Sequence, residues 1–351
     1  MKPQNGKPKP VARLITSVSC SSPVRKLRVS KIERVVSPIE KTISEFVPGL
    51  SGKEKKRLTR TILYNCLVYQ ITPSEYFLYH FGDLNDHGKR AYIGDAERYQ
   101  RMSKQNDKKT EEVFDNKYLT YQYLKPFFRR DVILLDNADR IDEFRAFASA
   151  HTEGIVKRLK GSLGKGVSRI DFSKTDDPEL LLRELIKDGP AVLEEKIEQV
   201  PEMAAFHPVS VNTVRYATFF DGDTVRGVLS FLRMGQGDSI VDNAGSGGIL
   251  ASVDVETGIV KTAGYTENGK RYLKHPETGA QIIGFNVPRW EELCGTAKEA
   301  ALVMKDQPYI GWDFALTKDG WVIIEGNCRG QFVQQICDRE GARELFEEMF
   351  G

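Results

Sequence analysis

The chain is short of cysteine and histidine and has no long apolar run. Its five cysteines, Cys20, Cys66, Cys294, Cys328 and Cys337, are odd in number and widely spaced across 351 residues. That excludes a disulfide framework and a CxxC metal knuckle, and reduced thiols in a cytoplasm are the expectation. The five histidines form no HxxxH pair, so nothing points to a zinc centre. With no stretch of about 18 apolar residues, no spanning helix is expected. Charge of one sign is not in excess either: 51 Lys and Arg face 49 Asp and Glu, a net +2. Such a balance supplies no global field for nucleic acid. The exception is the basic stretch up to Arg34. Residues 1–34 read as a basic flexible tail rather than an export signal.

What is present suits a soluble globular protein, at 40% hydrophobic and 28% charged residues, with room for two or three subdomains. Residues 35–112 carry a helical period, for example Ile39, Ile43, Phe46 and Val47, then Leu58, Ile62 and Cys66. Thr72 before Pro73 reads as the cap of a new helix. From 113 to 205 strands and helices alternate. Strands are expected at Val132–Leu135, from Gly154 onward and at Ala191–Glu195, with helices at Ile141–Ala150 and 180–185. Residues 206–351 turn to hairpins, 214–220 with Val225–Met234 and 312–316 with 321–325, separated by a helix over 290–304. The fold class is therefore α+β, preceded by a helical N-terminal region.

One chemical segment runs from Ile155 to Val167. A strand delivers Lys157, and a loop with Gly161, Ser162, Gly164 and Gly166 follows. Glycines let main-chain N–H groups approach phosphate oxygens without an intervening Cβ. Ser162 adds a hydroxyl donor, and Lys157 a fixed positive charge. The GxxGxG pattern lacks a Gly-Lys-Ser/Thr ending, so it is neither a Walker loop nor a dinucleotide fingerprint. By itself it reads equally well as a glycine-rich hairpin turn with solvated lysines.

A second segment runs from Ile310 to Asn327. Centring its turn on Asp319 sets Asp313 opposite Glu325 on one face. Glu325 and Asn327 share a face because side chains alternate along a strand. Two carboxylates that close repel each other unless a cation is shared, and hard oxygen donors suit Mg²⁺. A one-residue slip would separate them. The alternative is a solvated hairpin with ordinary acids, against which Val322-Ile323-Ile324 reads as a strand buried on both faces.

Together these segments resemble the ATP-grasp fold, and from about Pro73 to Phe332 the chain resembles the sugar-transfer-associated ATP-grasp family. The motifs that carry the likeness are Ile71-Thr72-Pro73-Ser74-Glu75-Tyr76, Asn116-Lys117, Val211-Asn212-Thr213-Val214-Arg215 and Leu232-Arg233-Met234-Gly235. Asp242-Asn243 with the glycines up to Gly248, His275-Pro276-Glu277, Gly311-Trp312-Asp313 and Glu325-Gly326-Asn327 complete the set.

The resemblance implies two α+β subdomains clasping ATP. Lys117 and Lys157 would lie near the nucleotide, and Gly161 to Gly166 would form a lid over its phosphates. Residues 191–197 resemble the hinge, where Glu194 would take the adenine amino group and the backbone around Ile197 the ring nitrogens, with Glu195 also among the nucleotide-binding residues. Asn212 would bind ribose. Asp313, Glu325 and Asn327 would hold one or two Mg²⁺ ions, with Mn²⁺ as a substitute. Arg215 and Arg233 lie in apolar strands, where a bare arginine is costly. They would neutralise a moving phosphoryl group or grip a carboxylate, or form structural pairs with Asp or Glu. Asn243 would donate to phosphate or substrate, or serve a plain turn. The implied activity is a cytoplasmic carboxylate–amine ligase working through an acyl phosphate. It would act on small-molecule or peptide substrates in surface-polysaccharide or peptide natural-product biosynthesis. A homodimer is compatible with this. A small-molecule kinase of the same fold and a non-catalytic ATP-binding scaffold are the alternatives.

Overall fold

The computed structural model describes residues 25–161, 166–240, 242 and 247–351. They form two compact units, one reaching residue 100 with 341–344 added, the other comprising 101–340 and 345–351. Among the described residues no helix is long and apolar enough to cross a membrane.

The first unit is helical. Its opening helix, Arg25–Phe46, begins inside the stretch expected to be a flexible tail. In the sequence Val29, Ile32, Val36, Ile39 and Ile43 recur at steps of three and four, a helical period that reaches back into the basic segment. The next helices, Gly52–Tyr69 and Pro73–Leu78, each start with a reciprocal capping box, Ser51 with Glu54 and Thr72 with Glu75, which satisfies orphan N–H groups at the first turn. Glu75 is buried and also accepts from the Asp95 backbone N–H at 3.0 Å and the Tyr79 hydroxyl at 2.9 Å.

The second unit holds two antiparallel sheets. The smaller has the order β1-β4-β2-β3, with β1 Val132–Leu135, β2 Glu153–Arg158, β3 Val167–Asp171 and β4 Ala191–Glu195. Helices Ile141–Ala150 and Pro178–Ile186 cover it, packing Phe144, Phe147 and Leu182 onto Leu135, Val156 and Leu193. The larger sheet consists of β5 Thr213–Phe220, β6 Val225–Met234, β7 Ile249–Val253, β8 Gly264–Tyr265, β9 Arg271–Tyr272, β10 Tyr309–Thr317 and β11 Gly320–Asn327. Its order is β11-β10-β5-β6-β7-β8-β9. Helix Trp290–Val303 lays Leu293, Ala297 and Ala300 on it, and helix Lys117–Phe128 adds Tyr121, Leu124 and Phe128 to the same core. After β4 the chain crosses between the sheets. Gln199 bridges to Thr317, and the Val200 N–H donates to the Leu316 carbonyl at 3.0 Å.

The β10–β11 hairpin sets the register of the second chemical segment. Its two-residue turn, Lys318-Asp319, pairs Thr317 with Gly320. Continued without irregularity, that register would set Asp313 opposite Ile324. A bulge intervenes, and Asp313 pairs with Glu325, Trp312 with Gly326 and Gly311 with Asn327. The pairing expected from a turn centred on Asp319 therefore exists by a different route: the turn is tighter, and one extra residue on β11 restores it.

Gly326 is where that strand meets its cover. A Cβ there would strike the Phe114 ring and come within 3.2 Å of Trp312. Gly326→Ala is expected to cost about 1–3 kcal/mol by overpacking, read as a lower urea midpoint. Phe114→Leu in the same background should recover part of the loss, and an unchanged midpoint in Gly326→Ala would refute the close approach.

Candidate functional site

A cleft of about 340 Å³ opens between the two sheets. One wall carries Lys157 of β2 and Glu194 of β4, and the other Arg233, Asp313, Ile324 and Glu325. Residues 195–199 form its back, and Lys117 and Gly161 its rim.

The first wall is a buried ionic cluster. Lys157 Nζ donates to Glu194 Oε2 at 2.9 Å. Arg130 donates to the same oxygen through Nε at 3.0 Å and Nη2 at 2.7 Å. Burial pushes the Glu194 carboxyl up, but Lys157 and Arg130 outweigh it and hold the pKa at about 2. Burial pulls the Lys157 ammonium down, with Glu194 opposing that shift and Arg130 adding to it. One carboxylate serves two cations, so this wall keeps an excess positive charge.

The second wall is organised around Asp313. Arg215 reaches both its oxygens, Nε to Oδ1 and Nη2 to Oδ2 at 2.8 Å, and Arg233 Nη1 donates to Oδ2 at 2.6 Å. Burial raises the Asp313 pKa, yet the two guanidinium groups bring it down to about 2. Arg233 also lies 3.3 Å from Asp242 Oδ1, and Asp242 accepts from the Thr213 N–H at 3.0 Å and from the Thr213 hydroxyl. Burial pushes the Asp242 carboxyl up in spite of these partners. Of the two readings open for Arg215 and Arg233, the structure shows the acid pairing, and Arg233 lines the cleft as well. Glu325 also lines it and forms no ion pair among the described residues.

The remaining expected residues divide. Gly161 and Gly166 close the ends of the glycine segment with φ of 141° and 75°, conformations that favour glycine. The Gly161 carbonyl accepts from Lys117 Nζ at 2.8 Å. Ser162 and Gly164 fall outside the described residues, as does Asn243. Glu195 and Ile197 line the cleft. Glu195 Oε2 also accepts from the Asp131 N–H at 3.1 Å, and His151 contacts Asp131 at 3.0 Å. These three side chains bring potential metal-binding atoms within 4.8 Å of one another, but Asp131 is exposed. Asn327 is exposed and absent from the cleft lining, and its Oδ1 accepts from the Arg329 N–H at 2.8 Å.

The expectation that Asn212 binds ribose needs correction. Its side chain is fully buried and donates to Met203 O at 2.9 Å and His207 O at 2.8 Å. Its own carbonyl accepts from the Gly235 N–H at 3.2 Å. Asn212 is a buried knot joining the 199–212 segment to the end of β6, with no surface for a ligand. His207 and His275 serve the same region, donating to the carbonyls of Gly237 and Gly235 at 2.8 Å each.

Two site residues escaped the sequence reading. Arg130 looked like an ordinary basic residue after an aromatic helix end, and its partner lies 64 positions away. Asp242 sits beside Asn243 in the glycine-rich stretch, whose pattern points to a turn or a close-approach loop rather than to a buried acid. A charge count was the available signal for it: two arginines in apolar strands call for more than one buried acid.

The cleft lining carries equal numbers of basic and acidic side chains. It therefore suits a polyanion that arrives with its own cation better than a bare anion.

The profile of the family described as sugar-transfer associated ATP-grasp matches residues 96–349. Similar solved structures include the ATP-grasp ligase PsnB complexed with minimal precursor, at 11% identity and a TM-score of 0.43, covering 70% of this chain and 61% of that one. N5-carboxyaminoimidazole ribonucleotide synthetase, in an ADP complex, is 14% identical with a TM-score of 0.40, covering 67% and 51%. D-alanyl-alanine synthetase A from Vibrio cholerae is 11% identical with a TM-score of 0.41, covering 69% and 62%. The chain thus spans less than two thirds of each of these proteins. No curated protein matches it.

Glu194 and Asp313 have folded-state pKa values of about 2, below the roughly 4 of an unfolded carboxyl. Their ionised forms therefore add stability that is complete above about pH 4 and is lost as pH falls toward 2. Asp313→Asn leaves two buried arginines without their shared acid and should cost about 3–5 kcal/mol at neutral pH. The variant's stability should also change less between pH 4 and 2 in urea titrations. A variant with the parent's slope over that range would refute the assignment.

Proposed function

The chain belongs to the sugar-transfer associated ATP-grasp family, and on that premise we propose that it is an ATP-dependent ligase. It activates a carboxylate as an acyl phosphate and joins it to an amine. The observation that carries this reading is the meeting of Lys157 and Glu325 in one cleft, a cationic wall facing an acid with no ion-pair partner among the described residues.

In this reading residues 113–205 and 206–351 are the two halves of the clasp. Adenine lies against residues 195–199, with Ile197 as its apolar contact. The phosphates extend toward Lys157, Lys117 and the glycine segment between Gly161 and Gly166. Glu325 and Asp313, the carboxylates that line the cleft, would hold Mg²⁺, with the amide oxygen of Asn327, outside the lining, as a third donor. When bound, it neutralises phosphate charge. Lys157 and Arg233 add positive charge at the walls of the cleft. A substrate carboxylate oxygen bonds to the γ-phosphorus as the bond to ADP breaks. The amine nitrogen then bonds to the activated carbonyl carbon, phosphate leaves, and the amine proton passes to solvent or to the departing phosphate. The chain's task is to align these groups and keep water away from the acyl phosphate. The substrate in this reading comes from surface-polysaccharide or peptide natural-product biosynthesis and is used in the cytoplasm, where ATP is available; the family's association with sugar transfer supports the first of these sources.

The test is ADP release from a panel of carboxylates with and without amines, with mass spectrometry of the products. Condensed product that requires both substrates is expected. Glu325→Ala and Asn327→Ala should each lower turnover by about 100-fold or more. Full activity in both variants would remove the metal assignment. Accumulation of a phosphorylated product with no need for an amine would identify a kinase instead.

A further inference from the structure

Arg130 belongs to none of the motifs, yet all three nitrogens of its guanidinium donate. Nε and Nη2 hold Glu194 Oε2, while Nη1 donates to the Phe128 carbonyl at 3.2 Å and the Ile323 carbonyl at 2.7 Å. Its side chain is 4% exposed and lies 4.5 Å over the Phe128 ring. Its two partners outside its own segment belong to different sheets. Glu194 lies on β4 and accepts from Lys157, and Ile323 immediately precedes the bulge that turns Glu325 into the cleft.

We infer that Arg130 is a positioning residue that holds Lys157 and Glu325 in one register across the cleft. One edge of its fork shares Glu194 with Lys157, and the other grips the backbone at the β11 bulge. The inference rests on the ATP reading above. Two physical effects support it. A planar fork presents donors on opposite edges and can span two acceptors, whereas an ammonium presents its donors from a single atom. Sharing also keeps the Lys157 charge available. With Arg130 gone, Glu194 faces Lys157 alone, and the two close into a neutral pair that competes with a phosphate for the same ammonium.

The consequence is a link between nucleotide affinity and the divalent cation. Arg130→Lys keeps the charge and loses the span. Arg130→Met loses both. Binding of a fluorescent ATP analogue to the full chain is measured at fixed Mg²⁺, and Mg²⁺ is then titrated at fixed nucleotide. Arg130→Lys should weaken nucleotide binding by about tenfold and raise the half-saturating Mg²⁺ by about fivefold or more. Arg130→Met should be at least as severe on both. A residue that merely stabilises the fold would lower the thermal midpoint and leave both constants unchanged, and that result overturns the proposal. Because the Mg²⁺ effect runs through Glu325, Arg130→Lys should have no further effect on the Mg²⁺ requirement in a Glu325→Gln background. Additive effects in that double variant also overturn it. If the parent chain binds no nucleotide, the ATP reading and this proposal fall together. If the parent binds and Arg130→Lys binds equally well, only the proposal falls.

Discussion

A carboxylate taken out of water at Asp313 is tolerable only because two guanidinium groups come with it. All three residues lie on neighbouring strands of the larger sheet. Asp313 of β10 pairs directly with Arg215 of β5, and Arg233 of β6 pairs with Thr213, two residues before Arg215. The two-residue period of a strand then directs Thr213, Arg215, Arg233 and Asp313 to one face. Register and charge enforce each other. A slip of one residue in β5 would turn Arg215 to the opposite face and leave Asp313 with half its compensation. The apolar face of the same strands, with Val214, Tyr216 and Trp312 in the core, opposes the slip independently.

The two walls differ in the sign of what remains after pairing. On the first, Lys157 and Arg130 share one acid, which leaves positive charge beside Lys117 and the glycine segment. On the second, Arg215 and Arg233 are matched by Asp313 and Asp242, and Glu325 then stands as an additional acid. The cleft is therefore polarised although its lining is balanced in total. A polyphosphate and a divalent cation bound side by side would complement that gradient. Two carboxylates or two phosphates alone would not.

Much of this was legible in the sequence because it rests on local pattern. The strands β5, β6, β10 and β11 follow from paired apolar runs, the second pair turning about Asp319, and the cap at Thr72 follows from its place before Pro73. What was not legible depends on distant partners or single-residue irregularities. No local signal marks the bulge at Ile324; a turn centred on Asp319, half a residue from the observed one, gives the same Asp313–Glu325 pairing. Asn212 looked like a ligand group, since a polar residue before an apolar strand fits either role. Its burial depends on the carbonyls of Met203 and His207, which the following sequence does not predict. Arg130 pairs across sheets, beyond what spacing along the chain can report.

The geometry also ranks the oxygens available to a metal. Each carboxylate oxygen offers two lone pairs. Asp313 Oδ2 receives Arg215 and Arg233, while among the described residues Oδ1 receives Arg215 alone. Oδ1 is the oxygen with capacity left, and two adjacent guanidinium groups reduce what it can give to a cation. Glu325 carries no such competitor among the described residues, so it is the stronger donor of the pair. In the proposed site Asn327 would offer a neutral oxygen, one already engaged by the Arg329 N–H. One strong donor, one weakened donor and one neutral donor make a poor site for a bare divalent ion. They make an adequate one when phosphate oxygens supply the rest of the shell, because Mg²⁺ gives up its waters most readily to such ligands. Metal and nucleotide would then bind as one unit. That places the burden of alignment on the groups that fix the two walls against each other.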